Sequence, residues 1–563
     1  MPKSVLSYGR VQSMLAHPLE RSELEALLFA SKAELSGLEG DELTIEVTPD
    51  RLDLLSEGGL GLYLQGRTGA AHGVPALTGT PASDPPMTIV ADASVSRRRP
   101  YIAAVALTAP TGEGLDAGLL AEGIRFQELL HATVGADRRL ASLGIYPYDR
   151  LRPPIHYRLE PIGAIRFTPL GAEKETSAEE FFSTHPMAAR YGEMGREGGL
   201  ALTLRDRERR VLSLPPVLNS REGGEARVGD RALLLESTGT LKARVKDALS
   251  LLSLVFVARG WRLTAVPVSG SHGPDTGESL VSLRRLHLPA ATVAQVGGAG
   301  YSAASIEHEL SRARLSASPE AHGWSVAVPP WRPDLLSGVD LAEEVVLSRG
   351  LRAEDGLIPP SSTRGRRLPE RRFADRFSEL FRGLGFAELY TPVLVSETST
   401  LRTGRSSAIA LRNPVSDQFA YLRDRLFVSL TTVLEHNLRT GYPQRFAEVG
   451  PVVVPDTSAD TGAATRQHAG AVIASEGAGF ADAAALLDFL LRDQGVAAVR
   501  EPVEIPRTIP GRAARVKLAG EVVGELGELS PELLAELGVP VPAVWAELNL
   551  TALWPLLRRG ESR

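Results

Sequence analysis

The chain has no cysteine in its 563 residues. That excludes disulfides, thiolate nucleophiles and zinc sites built on cysteine, and it makes a cytoplasmic setting the expectation. Long apolar runs are also missing. None approaches the roughly 18 residues of a membrane helix, and Met1-Pro2-Lys3-Ser4 does not open a basic segment followed by an apolar core, so neither a membrane span nor a signal peptide is expected. Lysine is scarce: Lys3, Lys32, Lys174, Lys242, Lys246 and Lys517 are the whole set, while arginine is abundant, a pattern that coding bias produces. Positive charge is not in excess either, since the formal net charge is −6. A protein that held nucleic acid over its whole face would be basic, so any RNA contact is local or left to a partner.

With 43% hydrophobic and 23% charged residues, the chain has the composition of an ordinary globular protein. Its length is too great for one core and predicts several domains of about 150 residues each. The most informative stretch runs from Val328 to Gly350 and reads as strand, turn and helix. Val326 and Val328 lead into Pro329-Pro330, and a helix is expected to begin at Asp340, with Glu343 at capping-box spacing. Four carboxylates fall here: Asp334, Asp340, Glu343 and Glu344. They suit either a capped helix whose dipole favours acids at its start, or a site for magnesium, which takes oxygen ligands.

The sequence supplies an internal comparison. Arg51-Leu52-Asp53-Leu54-Leu55-Ser56 nearly repeats Arg332-Pro333-Asp334-Leu335-Leu336-Ser337, and both copies run into a helix-like segment. In the first copy the places of Asp340, Glu343 and Glu344 are taken by Gly59, Leu62 and Tyr63. The turn and helix therefore do not require the acids, which favours a metal or partner role for them.

Trp331-Arg332-Pro333-Asp334, Asp340 and Glu343-Glu344 resemble the magnesium-binding segment of the phenylalanyl-tRNA synthetase β subunit, in its archaeal-type form. The resemblance extends through nearly the whole chain in the family's order. It implies an α+β multidomain protein with these parts: a small N-terminal structural α/β domain (1–92), an editing-type α+β domain (93–263), a helix-rich domain carrying the acidic motif (264–350), a linker (351–370), and an inactive class II synthetase-like antiparallel sheet with flanking helices (371–563). The segment 78–86 reads as a surface connection. The arginines Arg364, Arg366, Arg367, Arg371 and Arg372 fit a solvated linker or a phosphate contact.

In the second block, two strand-like runs around Leu212 and Ala232 each end in small polar residues, which suits either a pocket floor or tight turns. The resemblance assigns this block to hydrolysis of tyrosine mischarged onto tRNA, with Ser213, Glu236 and Thr238 as the pocket that meets the tyrosine hydroxyl. A buried hydrogen-bonding group is the sharpest way to separate a hydroxylated ligand from one lacking the hydroxyl. Two departures stand against it: Leu241 replaces the Asp of Thr-Gly-Thr-Asp, and Tyr146-Pro147 stand where His-Asp is typical.

The last block opens with Phe373, Phe377, Leu380 and Phe381 at helical spacing, then a strand expected over Ala387 to Val395. A class II core clamps ATP phosphates with two arginines, one of them on a Gly-x-Gly-x-Glu-Arg segment, and the sequence has no such segment. Arg423 and Arg445 remain, half of a clamp. The sequence stops soon after Leu548-Asn549-Leu550-Thr551, so the extra C-terminal domain of the bacterial type is not expected.

The resemblance thus implies a non-adenylating subunit of an aminoacyl-tRNA ligase. It would work in an (αβ)₂ heterotetramer with the α subunit, tRNA-Phe, phenylalanine and ATP, with Mg²⁺ at Asp334, Asp340, Glu343 and Glu344, shared with the α subunit. A diverged scaffold and a free-standing hydrolase of mischarged tRNA are the alternatives.

Overall fold

Apolar strands punctuated by Gly and Pro alternate here with short helices, and a computed structural model arranges them in two units, Met1–Ile358 and Pro359–Arg563. The structure describes residues 2–77, 87–270, 280, 282–298, 300–350, 358, 363–404 and 407–561. The expected surface connection at 78–86 and much of the 351–370 linker lie outside the described residues.

The first unit is a mixed α/β assembly of several small sheets. A three-stranded antiparallel sheet has the order Lys3–Ser7, Glu42–Val47, Ala33–Glu39. A four-stranded antiparallel sheet follows the order Arg262–Val266, Tyr101–Thr108, Ala232–Gly239, Ala141–Pro147. The helix Lys242–Val257 reads Ala-Leu-Ser-Leu-Leu-Ser-Leu-Val-Phe-Val over its last ten positions, all of them buried, because the sheet covers one side and the helix Glu57–Arg67 the other.

That second helix is unusually rich in glycine, which costs up to about 1 kcal/mol per residue relative to alanine. Close approach explains it. A Cβ on Gly59 would lie 1.8 Å from the Asp53 carbonyl oxygen, and one on Gly66 would lie 2.2 Å from that of Arg312.

The strand Ile89–Ala91 pairs in parallel with Ile155–Pro161 on one side and Val268–Gly270 on the other, inside a seven-stranded sheet that also holds Leu200–Arg205, Val211–Leu214 and Leu218–Asn219. The second block therefore draws strands from both sides of the expected boundaries at 92 and 263. One apolar cluster also joins Leu6, Leu43 and Leu64 to Leu107, Leu235 and Leu254, so the N-terminal block shares its core with the four-stranded sheet. The acidic segment belongs to a smaller module, the sheet Arg284–Pro289, Gly323–Val328, Ser316–Glu320 with the helices Ala290–Gly297, Ala303–Arg312 and Gly338–Arg349.

In the second unit, a seven-stranded sheet has the order Ala387–Leu389, Gln444–Pro455, Ala463–Ala474, Ala543–Asn549, Glu521–Leu529, Thr508–Leu518, Val499–Pro502. Its first pair is parallel and the rest antiparallel. Strand alternation divides its two faces. Ala469, Ala471 and Ala546 meet the helices Pro369–Gly383 and Phe480–Asp493, while Val472, Ala474 and Trp545 meet Leu426–His436. The phenylalanine stripe is buried as its spacing requires, and the chain turns away at Gly385, where φ is +78°. The strand expected over Ala387 to Val395 is two strands, Ala387–Leu389 and Leu394–Val395, in different sheets. Pro392 lies between them and cannot donate to a ladder.

Candidate functional site

The acidic helix Gly338–Arg349 starts two residues before the expected Asp340. Asp340 is its N3 residue and accepts from the backbone N–H of Ser337 at 2.7 Å and of Leu336 at 2.8 Å, so the capping box is Ser337 with Asp340, not Asp340 with Glu343. Glu343 accepts from Lys32 Nζ at 2.7 Å, and the same ammonium reaches Asp50 at 3.0 Å.

Glu344 is buried, and here the repeat shows its structural meaning. In each copy the arginine grips its own aspartate two residues on. Arg51 Nε and Nη2 donate to Asp53 at 2.9 Å each; Arg332 Nε and Nη2 donate to Asp334 at 2.9 and 2.8 Å. At the residue aligned with Tyr63 the copies diverge. Arg51 lies over the Tyr63 ring at 4.7 Å, whereas Arg332 Nη2 donates to Glu344 Oε1 at 2.7 Å. Arg51 Nη1 faces that same oxygen at 3.7 Å. Burial opposes ionisation of Glu344, but Arg332 and Arg51 overcome it and hold its carboxyl below the usual range. Burial likewise opposes ionisation of Asp334, but Arg332 overcomes it and holds this carboxyl below its usual range as well.

This arrangement does not fit a magnesium ion held by the four expected residues. Magnesium needs oxygens converging at about 2.0–2.1 Å in near-octahedral geometry. Between Asp334 and Glu344 the structure places a guanidinium, Asp340 is committed to its own helix start, and Glu343 to Lys32. Among the described residues no group of three or more His, Asp or Glu side chains is placed to hold a metal. Within this chain Asp334, Asp340, Glu343 and Glu344 each have a protein partner and do not converge on one point. The arginines were the missing element, and the Arg-x-Asp spacing present in both copies was the signal for them.

A cavity of about 490 Å³ opens in the second block, within the usual size of small-molecule sites. Ser213 and Glu236 line it, as expected, together with Tyr146, Leu143, Val217 and Asn219. Thr238 does not: its hydroxyl lies 3.1 Å from Ser142 Oγ, fully buried behind the lining. On another part of the lining, Arg138 donates to both Glu128 oxygens at 2.8 and 3.0 Å, and His131 Nδ1 lies 3.2 Å from Glu128. Burial works against the Glu128 charge, but His131 and Arg138 hold its carboxyl at about 2. Glu236 is the opposite case. Burial pushes its carboxyl up to about 7, with Tyr146 and Arg99 only partly offsetting it.

In the second unit, Arg423 is fully buried. It donates to Glu448 at 2.8 Å, Ser429 at 3.0 Å and the Pro451 carbonyl at 3.0 Å. Every face of the guanidinium is engaged within the protein, which leaves none for a phosphate. Arg445 is exposed, and one of its Nη groups donates to the Leu384 carbonyl at 3.5 Å. A cavity of about 290 Å³ does carry Arg425 and Arg466, which the sequence reading did not single out. Three carboxylates, Asp424, Glu525 and Glu547, share it, and Arg466 is paired with Asp456 at 3.1 Å. Its charge balance suits no polyphosphate.

Comparison with known proteins places these features in a family. Residues 286–351 match the tRNA synthetase B5 domain, and residues 357–550 match the phenylalanyl tRNA synthetase beta chain CLM domain. The chain is 31% identical to the phenylalanine–tRNA ligase beta subunit of Aeropyrum pernix over 564 residues, covering 98% of this chain and 99% of the relative. The chain belongs to the phenylalanine–tRNA ligase beta subunit family. The beta subunit of Natronomonas pharaonis is 30% identical, with 94% of this chain and 96% of the relative covered. An N-terminal fragment of the phenylalanyl-tRNA synthetase beta subunit from Pyrococcus horikoshii aligns over 62% of this chain and 100% of the fragment, with a TM-score of 0.57 and 22% identity, and so shares the fold. As a beta subunit of this ligase family, the chain is of mixed α/β architecture, and among its described residues no helix is long and apolar enough to cross a membrane.

Proposed function

We propose that this chain is the non-adenylating partner of an α subunit in an (αβ)₂ assembly that joins phenylalanine to tRNA-Phe with ATP in the cytoplasm. The observation that carries this reading is the fate of Arg423. The arginine that a class II site would aim at ATP is locked against Glu448, and no Gly-x-Gly-x-Glu-Arg segment supplies the other half of the clamp. A chain with that architecture and relatives of the same length serves chemistry that occurs on its partner. Its own contribution is positional: the buried Arg332–Glu344 contact stiffens the acidic helix, leaving the exposed Leu336 and Val339 at the helix entrance for a neighbour. Co-expression with an α chain tests the reading: the expected result is co-purification and charging of tRNA with phenylalanine.

A second reading, a free-standing scaffold or hydrolase of the same family, draws on Leu241 and on Tyr146-Pro147. A chain that ignores every α subunit would favour it, and offering Tyr-tRNA to the chain alone separates its two forms.

A further inference from the structure

The Tyr146 hydroxyl lies 2.9 Å from Ser213 Oγ and 2.9 Å from Glu236 Oε1, so the chain's own phenol meets two of the three groups expected to meet a bound tyrosine. The surrounding backbone is built for this contact. Gly144 and Tyr146 sit on the same face of the strand Ala141–Pro147, and Gly144 is paired in register with Glu236. The phenol lies back over Gly144, where a Cβ would stand 2.4 Å from the Tyr146 hydroxyl and 2.7 Å from Glu236 Oε1. Ser213 comes from the neighbouring seven-stranded sheet, so the hydroxyl bridges the two sheets. Tyr146 is 1% exposed, yet it, Ser213 and Glu236 all belong to the lining of the 490 Å³ cavity.

We propose that Tyr146 is an internal ligand that fills a phenol-recognising subsite of this cavity, so that the wild-type site does not select ligands by a phenolic hydroxyl and truncation of Tyr146 uncovers a site that does. The proposal rests on the geometry around Tyr146 and is independent of whether the chain joins an α subunit. Polar groups already paired to a protein hydroxyl give an incoming phenol no net gain, because it must displace an equivalent bond. Removing the ring merges its space with the open cavity and leaves Ser213 and Glu236 as an unpaired, buried pair, and a buried pair of that kind favours a ligand that restores the bonds.

The test uses the full chain and two probes of nearly equal shape, 4-methylphenol and toluene, read by calorimetry and by the shift of the melting midpoint. Tyr146→Ala is expected to bind 4-methylphenol at least about tenfold more tightly than toluene, one added hydrogen bond being enough for that ratio, and to melt higher in its presence. The wild-type chain is expected to bind neither. Equal binding of both probes by the variant, no binding of either by a variant that melts cooperatively, or wild-type binding of 4-methylphenol would each overturn the proposal. Tyr146→Phe keeps the ring and covers the case in which the alanine variant fails to fold. In a double-mutant cycle with Glu236→Gln, the two changes of midpoint are expected to be non-additive; strictly additive changes mean that the hydroxyl and Glu236 are not partners, and the proposal fails. Charging activity with an α subunit is a separate readout, so failure here leaves the subunit assignment standing, and the reverse.

Discussion

Arg51 and Arg332, the same position in two copies of one motif, both point at Oε1 of Glu344, at 3.7 and 2.7 Å. The contact ties the N-terminal block to the acidic helix. Removing one partner of a buried ion pair costs roughly 3–5 kcal/mol, because the other charge stays buried. Glu344→Gln is therefore expected to destabilise the fold itself, lowering the denaturation midpoint by the same amount with magnesium and with chelator. A variant that folds with wild-type stability, or a midpoint that responds to magnesium only in the wild type, contradicts this.

Asp340 and Glu343 should behave differently from Glu344 and from each other. Asp340→Ala removes a capping box and is expected to cost about 1 kcal/mol. Glu343→Gln breaks only a half-exposed pair with Lys32, worth less than about 1 kcal/mol and screened by salt. Chemical denaturation at two ionic strengths distinguishes them: only the Glu343 effect should shrink as salt is added.

Stability is expected to fall as pH rises from about 4.5 toward neutrality in the first unit. Glu236 and Glu122 are both raised from 4.5 to about 7, in each case mainly by burial, with Glu57 adding repulsion at Glu122. Between those values the folded chain holds protons that the unfolded chain has released, so the slope is negative there, and above about 7 the penalty is complete. Glu236→Gln and Glu122→Gln should each flatten part of the profile in melts taken across that window. Two unchanged profiles would show that neither carboxyl keeps its proton.

Arg423→Lys should destabilise the second unit, since an ammonium cannot reproduce the contacts to Glu448, Ser429 and the Pro451 carbonyl together. Its effect belongs to folding, so the ATP dependence of charging by whatever complex survives should match wild type. A raised ATP requirement at wild-type stability would return Arg423 to the nucleotide site.

The second unit was largely legible because its signals are local: the Phe373, Phe377 and Phe381 spacing, the Gly385 stop and the missing Gly-x-Gly-x-Glu-Arg each follow from a few adjacent residues. The environment of the acidic segment is harder to read for the converse reason. Its four carboxylates are close in sequence, but what decides their chemistry is distant: Lys32 and Arg51 arrive from the N-terminal block. The repeat is visible in the sequence, but the side chains that its two arginines meet are not. Ser213 and Glu236 line the cavity and Thr238 does not, a difference that position along a strand does not reveal. Tyr146 was visible as a departure in sequence, but its contact with both pocket groups depends on the pairing of Gly144 with Glu236 across strands.

The most direct test of the whole account is phenylalanine-dependent exchange of pyrophosphate into ATP, measured on the purified chain and on the same chain co-expressed with an α subunit. The account predicts no exchange by the chain alone and robust exchange by a co-purifying complex. Exchange by the chain alone, or failure of the two chains to associate, would contradict it.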